Sequence, residues 1–207
     1  MQTKKCETGI IILAAGSSSR LGQPKQLLKL EEETLIRRIS KTALKSNLGK
    51  VVVVLGGHSE KIKPEIEDLD LHFTLNEAWE EGMSSSIKAG LKTLLKENEK
   101  AFSSVLFLVC DQPYVDTKLL NTIISKQVHS GKDIVASKYQ NGIIGVPVMF
   151  SSKYFTNLLQ LKGKEGAKTI IKSFPQEVAT ISFNKGDLDI DTISDWENII
   201  KNFKQKS

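Results

Sequence analysis

Residues 13–25 combine small side chains with two basic ones, a composition suited to binding phosphate. The segment reads LAAGSSSRLGQPK and follows a short apolar run. Small residues let the backbone approach phosphate closely, and successive N–H groups form a concavity that binds anions. Arg20 can donate two parallel hydrogen bonds to phosphate oxygens, and Lys25 adds a point charge. A phosphate cradle is one interpretation, and an ordinary turn after a strand is the other.

This segment matches neither of the two common glycine-rich nucleotide motifs. Five residues separate Gly16 from Gly22, and no Ser or Thr follows Lys25, so the spacing is not that of a P-loop. The segment also lacks GxGxxG, which weakens the case for a dinucleotide and for a redox enzyme that uses nicotinamide.

Two acidic segments lie far apart in the chain, and each could supply a ligand to Mg²⁺. Asp111 follows the apolar run 105–109, and Asp187, Asp189 and Asp191 alternate near the end of the chain. Mg²⁺ is usually held by one or two carboxylates together with phosphate oxygens. Adjacent carboxylates repel one another unless a cation offsets them. The residues alone also allow turn and helix-cap roles for all four.

Residues 76–86, with the sequence NEAWEEGMSSS, read by composition as a loop and the start of a helix. The histidines show no metal-ligand spacing, so we predict surface or packing roles for them: His58, His72 and His129.

Cys6 and Cys110 form no CxxC pair, and no Ser-His-Asp or Cys-His arrangement stands out. We predict that Cys110 belongs to the core.

Apolar runs and helical patterns alternate along the chain. The apolar runs predict strands at 10–13, 51–55, 71–75, 105–109, 134–136 and 146–150. Strands that are apolar throughout must be covered on both faces, and the intervening helices supply that cover. The predicted fold is α/β: a single doubly wound domain over residues 1–207, with a mainly parallel sheet, helices on both faces, and an embellishment at about 137–185.

In such sheets ligands bind outside the carboxyl ends of the strands. Three segments should meet there: 16–25 after the first strand, Gly56-Gly57 after the second, and Asp111 after the fourth. This convergence is the physical reason to expect an active site at that edge.

The composition is that of an ordinary globular protein. Of 207 residues, 40% are hydrophobic and 26% charged, and the net charge is +5, which suits an anionic small molecule as well as nucleic acid. The apolar stretch 10–15 is too short for a secretory leader or a membrane span. We therefore expect a cytoplasmic protein with no membrane and no nucleic-acid partner.

Taken together, these motifs resemble those of the MobA-like NTP transferases, in particular the molybdenum cofactor cytidylyltransferase branch. Residues 13–25 are similar to the signature LAAGxSxRMGxPK, with Leu21 where methionine is usual. Residues 76–86 resemble NxxWxxGMxxS, and the run DQP that begins at Asp111 resembles the metal-binding turn. The segment that starts at Asp189 resembles DIDTPED, with Ile193-Ser194 in place of Pro-Glu.

Two further segments resemble the family more weakly. Residues 145–150 are similar to its GxPxLF strand, and residues 163–168 depart from its GDxGAR element. In that element Lys164 stands in place of the acid and Lys168 in place of the arginine. In the family this region faces the acceptor, so the acceptor is the part of the assignment that stays open.

The resemblance implies a Rossmann-like nucleotidyltransferase fold and assigns roles to individual residues. Arg20, Lys25 and Asp111 would be catalytic, and Asp111 and Asp191 would bind Mg²⁺, with the role of Asp189 left open. The nucleotide-binding positions that follow from the resemblance and from the converging segments are Leu13, Ala14, Ala15, Gly16, Ser17, Ser18, Ser19, Arg20, Lys25, Gly57, Asn76, Gly82, Met83 and Ser86.

The implied reaction transfers CMP from CTP to the phosphate of molybdopterin cofactor, with release of pyrophosphate. A molybdenum hydroxylase is one candidate recipient of the product. Ala15 stands where the guanylyl branch usually has glycine, and its methyl group would narrow the base pocket toward a pyrimidine. The alternatives are guanylyl transfer to molybdopterin, transfer to a sugar or alditol phosphate, a non-catalytic nucleotide-binding cofactor chaperone, and a nicotinamide redox enzyme.

Overall fold

The computed structural model describes residues 7–16, 21–96, 98–188, 190 and 192–204. The strands, in chain order, are β1 (Glu7–Leu13), β2 (Lys29–Leu30), β3 (Glu33–Thr34), β4 (Val51–Leu55), β5 (His72–Leu75), β6 (Phe102–Val109), β7 (Ile134–Lys138), β8 (Ile144–Ser151) and β9 (Val178–Ser182). The helices are α1 (Leu35–Lys45), α2 (Ser59–Ile62), α3 (Met83–Leu95), α4 (Thr117–Ser130), α5 (Phe155–Gln160), α6 (Ala167–Ser173) and α7 (Ile193–Lys204).

Seven of the strands form one sheet in the order β5-β4-β1-β6-β8-β7-β9, while β2 and β3 pair separately. The neighbouring pairs are parallel except for the two that involve β8, which runs antiparallel to β6 and β7. The predicted α/β fold with a mainly parallel sheet is confirmed. Within this sheet, β9 is the strand that the apolar runs did not predict, because it lies at the sheet edge and most of its side chains are only partly buried.

The central strands are buried on both faces because a helical layer covers each of them. In β1 the side chains of Ile10 and Ile12 join one core cluster, and those of Ile11 and Leu13 join the other. Helices α1 and α4 contribute to the first cluster, and α3, α5 and α6 to the second. The predicted helices on both faces are therefore present.

One local prediction from the sequence is wrong, and another, Thr34 as the N-cap of α1, holds for the position but not for the side-chain hydrogen bond. The spacing predicts one helix from Ser59 to Leu69, but α2 ends at Ile62 and a short 3-10 helix follows. Pro64 explains this, since it has no backbone N–H and its ring obstructs the preceding turn. Thr34 occupies the N-cap of α1, yet its hydroxyl donates to the Glu65 carboxylate at 3.2 Å rather than capping the helix.

Two other helix starts form as the sequence predicts. The Asp116 side chain accepts a hydrogen bond from the Leu119 N–H at 2.7 Å. At α7, the Thr192 N–H donates to the Asp195 carboxylate at 2.8 Å and the Asp195 N–H donates back to the Thr192 hydroxyl at 3.2 Å. This reciprocal pair is a capping box.

Helix α7 packs its apolar side against the segment that follows β1. A small core cluster joins Leu21, Leu28, Leu30 and Leu35 to Ile199, and the Tyr114 and Phe203 rings stack with their centroids 4.6 Å apart. The end of the chain thereby stabilises the loop that carries Lys25. Among the described residues, no helix is both long and apolar enough to cross a membrane.

Candidate active site

The carboxyl ends of β1, β4 and β6 lie together at one edge of the sheet. Leu13, the last residue of β1, pairs with Val54 on one side and with Val109 on the other. Because β8 is antiparallel to β6, its amino end reaches the same edge, with Phe107 opposite Val148. The segments after β1 and β6 and those before β8 therefore converge.

Two adjoining cavities open at this edge. The first has a volume of about 310 Å³ and is lined by the end of β1, Lys25, Trp79 and the start of α3. The second has a volume of about 420 Å³ and lies toward β8 and α6. Both are lined by Leu13, Met83, Val109 and Asp111. Asp111 thus stands at the border between two spaces, each large enough for part of a ligand.

Lys25 and Asp111 form an ion pair between the Lys25 Nζ and the Asp111 Oδ2. Their side chains are 20% and 15% exposed, so the pair is largely removed from water. Partial burial strengthens the attraction relative to a surface pair, since solvent screens it less. The sequence distance of 86 residues is bridged because β1 and β6 are neighbours in the sheet.

Gln26 holds the turn after β1 and is a residue that sequence reasoning missed. Its side chain is 1% exposed, and its Nε2 donates to the carbonyl oxygens of Ala14 at 2.8 Å and Gly16 at 2.9 Å. These bonds satisfy two carbonyls that leave the strand ladder. The only local signal is a polar residue directly after Lys25, which is too weak to reveal a contact with backbone ten or more residues away.

The wall between the two cavities is built where α3 begins. Gly82 has φ +113°, and a Cβ there would lie 2.6 Å from the carbonyl oxygen of Gly163. The Ser84 N–H donates to that same oxygen at 3.3 Å. Only glycine combines this backbone conformation with so close a contact. The start of α3 is therefore fixed against the loop that borders the second cavity.

Asn76 lies behind this wall and does not line either cavity. It is 4% exposed, and its Nδ2 donates to the hydroxyls of Ser85 at 2.8 Å and Ser86 at 3.0 Å. The carboxyl end of β5 is thus tied to the first turn of α3. Gly57 also supports the site from behind, since a Cβ there would lie 2.7 Å from the Trp79 ring.

The structure brings most of the described sequence-predicted positions to the first cavity. Those that line it are Leu13, Ala15, Gly16, Lys25, Gly82, Met83, Ser86 and Asp111. Ala14, Gly57 and Asn76 are among the neighbours that support it. The remaining predicted positions lie outside the described residues: Ser17, Ser18, Ser19, Arg20, Asp189 and Asp191.

The second cavity combines an apolar floor with polar and basic groups. Phe107, Ile87 and Ile171 supply apolar surface, and Lys164 and Lys168 supply two positive charges. Both lysines are exposed, and within the described part of the chain neither has a recorded ion-pair partner. The carboxylates of Asp111 and Glu165 line the same cavity, so it offers both signs of charge beside an apolar floor.

Gln112 and Tyr139 add neutral polar groups to the second cavity. The sequence did not single out Tyr139, and it marked Gln112 only as part of the DQP run. The Gln112 Nε2 donates to the Tyr139 hydroxyl at 3.0 Å and to the Gly186 carbonyl at 2.9 Å. The Tyr139 hydroxyl in turn donates to the Val146 carbonyl at 2.6 Å. Three distant segments therefore meet next to Asp111.

Cys110 lies in this region but is not a reactive thiol. It is buried, and burial, followed by the nearby charge of Asp111, raises the pKa of its thiol to about 12. The nucleophile in cysteine chemistry is the thiolate, which is scarce at neutral pH for such a group. The prediction of a core role for Cys110 is confirmed. Among the described residues, no three His, Cys, Asp or Glu side chains cluster as a metal site.

A family model described as "MobA-like NTP transferase domain" matches residues 10–179. Among curated proteins, the chain is 28% identical over 201 residues to "Purine catabolism protein PucB" of Bacillus subtilis (strain 168), covering 91% of this chain and 94% of that protein. It is 33% identical over 109 residues to "Nicotine blue oxidoreductase" of Paenarthrobacter nicotinovorans, a match that covers 52% of this chain and 50% of that protein.

Solved structures share the fold over nearly the whole chain. The Mycobacterium tuberculosis Rv0371c homologue from Mycobacterium sp. strain JC1 superposes with a TM-score of 0.80 at 29% identity, covering 97% of this chain and 98% of that one. A complex of Rv0371c from Mycobacterium tuberculosis H37Rv with manganese has a TM-score of 0.76 at 23% identity, covering 94% and 98% of the two chains. At that identity the second likeness concerns the fold alone.

Proposed function

The chain belongs to the MobA-like NTP transferase family, and we propose that within this family of nucleotidyltransferases it transfers CMP from CTP to the phosphate of molybdopterin cofactor. The observation that carries the proposal is the position of Asp111, paired with Lys25, at the border of two cavities. A transferase needs adjoining sites for donor and acceptor, with charged groups between them. This arrangement supplies both.

The first cavity would hold the nucleoside triphosphate. The backbone after β1, held by Gln26, faces this cavity together with the ammonium group of Lys25. Lys25 would neutralise phosphate charge, and Arg20 with the serines at 17–19, outside the described residues, would extend the cradle. Positioning and charge neutralisation are the main requirements of phosphoryl-type transfers.

The second cavity would hold the acceptor. An acceptor phosphate oxygen forms a bond to the α-phosphorus of CTP, the bond from that phosphorus to the bridging oxygen breaks, and pyrophosphate leaves with this oxygen. Each unit-charge repulsion between the two phosphates costs about 4 kcal/mol at ~4 Å and an effective dielectric of ~20. Lys164 and Lys168 stand where they can offset the charge of the incoming phosphate.

The donor set fits a divalent cation that is held largely by substrate. One described carboxylate, that of Asp111, borders both cavities, and its Oδ2 is already bound by Lys25. Mg²⁺ usually combines one or two carboxylates with phosphate oxygens and water, so Asp111 with Asp191, which lies outside the described residues, would suffice. Bound Mg²⁺ would supply charge neutralisation at the α-phosphate. The manganese complex of Rv0371c is consistent with a divalent ion in this fold.

The preference for CTP rests on Ala15. This residue lines the first cavity and is 5% exposed, so its methyl group takes space that glycine would leave open. A narrower pocket favours the smaller pyrimidine ring.

We propose a molybdenum hydroxylase as the recipient of the product, since such an enzyme would use a cytosine dinucleotide form of the cofactor.

Pyrophosphate release tests the proposal. The purified chain is incubated with Mg²⁺ and each of the four nucleoside triphosphates, with and without molybdopterin cofactor. We expect release that depends on the acceptor and is fastest with CTP. Fastest release with GTP would overturn the base preference only, and no release with any nucleotide would overturn the transferase assignment for this acceptor.

A second candidate function comes from the name of one relative, "Nicotine blue oxidoreductase", which matches half of this chain. An oxidoreductase that uses a nicotinamide cofactor would consume NADH or NADPH in the presence of a substrate. The segment after β1 lacks GxGxxG, which disfavours it. A thermal shift with NAD(P)H that exceeds the shift with CTP and Mg²⁺ would favour this candidate over nucleotidyl transfer.

A further inference from the structure

We propose that Gln112 is a positioning residue for Asp111, acting through a hydrogen-bonded clasp that joins three segments around the second cavity. The inference rests on the proposed function, because it assigns Gln112 a part in the binding of the divalent cation by Asp111. The clasp consists of Gln112, Tyr139, Val146 and Gly186.

The contacts of Gln112 are long-range and buried. The side chain is 3% exposed, and its partners Tyr139 and Gly186 lie 27 and 74 residues away in sequence. Gln112 follows Asp111 directly, so fixing its side chain at two points also fixes the backbone of the turn that carries the carboxylate. If the residue at position 112 made only one contact, at the surface, the turn that carries Asp111 could rotate more freely.

The chemistry of the partners determines how the Gln112 amide is oriented. The Gly186 carbonyl can only accept, and the Tyr139 hydroxyl uses its proton on the Val146 carbonyl at 2.6 Å. Both groups therefore require the NH₂ end of the amide. A glutamate of the same shape, once ionised, has no donor for either of them.

The cost of this arrangement argues for a positional role. With the NH₂ end engaged, the Gln112 Oε1 is buried and has no hydrogen-bond partner among the described residues. A buried acceptor without a partner destabilises the fold, because its lost hydration is not replaced. An apolar side chain would avoid this penalty but would leave the buried Gly186 carbonyl without its donor, so the amide serves for its hydrogen bonds rather than for packing.

The clasp also holds the loop at Gly186 against Tyr139, which lines the second cavity. A Cβ at Gly186 would lie 2.3 Å from the Tyr139 ring, and the Phe183 and Tyr139 rings meet edge to face with centroids 6.2 Å apart. The backbone at Gly186 is thus in direct contact with the ring whose hydroxyl receives the Gln112 bond. Loss of the amide would release this loop as well as the turn at Asp111.

The test is Mn²⁺ binding in the presence of CTP, followed by electron paramagnetic resonance, together with thermal unfolding. We expect Gln112→Ala and Gln112→Glu each to weaken Mn²⁺ binding about tenfold or more, the range found for groups that orient metal ligands. Tyr139→Phe, which keeps the ring and removes one of the two amide partners, should cause a smaller loss. The Tyr139→Phe variant can still test the clasp if a Gln112 variant does not fold.

Ser137→Ala is the matched control. Ser137 is fully buried in β7, and its hydroxyl donates to the Pro147 carbonyl at 2.9 Å without lining either cavity. This variant should lose stability but keep Mn²⁺ binding within about twofold of wild type, as expected for a change without contact to the metal-binding turn.

If the folded Gln112 variants and Tyr139→Phe bind Mn²⁺ as tightly as wild type, the clasp is overturned and the proposed function stays intact. The same conclusion follows if Ser137→Ala loses as much Mn²⁺ affinity as the Gln112 variants. If wild type itself binds no Mn²⁺ with CTP, the proposed function and the clasp both fall.

Discussion

The Lys25–Asp111 ion pair is the smallest unit on which the proposed chemistry depends. An ammonium group and a carboxylate at 20% and 15% exposure offset each other before any ligand arrives. On the proposed function, Lys25 would turn its charge to phosphate when a triphosphate binds, and Asp111 would bind the cation. Neither charge would then be left unpaired in a partly buried place.

Asp111→Asn is the sharpest change at this position, because it keeps the shape and removes the charge. We expect nucleotide-dependent pyrophosphate release to fall about a hundredfold or more, the scale seen when one preorganised electrostatic group is removed. Asp68→Asn is the control, since Asp68 pairs with Arg37 on the exposed surface. Near-wild-type turnover of Asp111→Asn would exclude the proposed role.

Cys110 should resist alkylation in the folded protein. Its pKa is raised to about 12 by burial, so at pH 8 the thiol stays protonated and does not attack iodoacetamide. In a Cys6→Ser variant, which leaves Cys110 as the remaining cysteine, we expect slow modification by mass spectrometry under native conditions and rapid modification in denaturant. Equal rates in both conditions would show that Cys110 is accessible and ionised.

At the scale of elements, the contact between the turn after β4 and the short 3-10 helix Trp79–Glu81 shapes the first cavity. A Cβ on Gly57 would lie 2.7 Å from the Trp79 ring, so alanine there must displace the indole. We expect Gly57→Ala to weaken CTP binding about tenfold, a loss of about 1.4 kcal/mol. Calorimetric titration with CTP and Mg²⁺ measures this.

The double variant Gly57→Ala with Trp79→Phe provides the control for that steric argument. The smaller ring lacks the atoms that the new Cβ would meet, so the two changes should not add. Affinity should recover relative to Gly57→Ala alone. Additive losses would place the effect in the Gly57 backbone rather than in the indole.

The ion pair that joins α1 to the segment after the 3-10 helix Lys63–Glu65 should contribute to stability in a pH-dependent way. A bidentate hydrogen bond from Arg37 lowers the pKa of Asp68 to about 2, below its ordinary value of 3.8. A lowered folded-state pKa contributes stability that is present above the unfolded pKa and lost as the pH falls through the folded one. The effect is small, since the pair is exposed.

We therefore expect the melting temperature of the wild type to exceed that of Asp68→Asn slightly at pH 5. The difference should shrink as the pH falls from about 4 toward 2, the window set by the two pKa values. Parallel thermal scans of the two proteins measure it. A difference that stays constant over this range would rule out titration of Asp68 as its source.

At the scale of the whole molecule, the sequence predicts the sheet well where strands are buried on both faces. Continuous apolar runs such as Val51–Leu55 predict strands that are covered on both faces, and this strand is buried throughout. The antiparallel direction of β8 and the edge strand β9 were not predicted. Both depend on pairing between segments that are distant in sequence, β8 with β6 and β9 with β7, which no local periodicity encodes.

The same distinction holds for the site. Positions 13–25 and Asp111 could be singled out by their residue types and their place after a strand, and the family resemblance favoured phosphate and metal binding over ordinary turns. Gln26 could not, and Gln112 was noted only as part of the DQP run, since each acts by donating to distant backbone carbonyls and a glutamine in a turn has no local signature for that role. Tyr139 reaches the cavity only because β7 lies beside β8.

The product of the reaction with molybdopterin cofactor, CTP and Mg²⁺ is the most direct test of the central claim. Mass spectrometry of the released cofactor should show one CMP unit joined to the molybdopterin phosphate, formed together with pyrophosphate. Unchanged cofactor after incubation with CTP, while an independently prepared cytidylyltransferase modifies the same cofactor, would contradict the account.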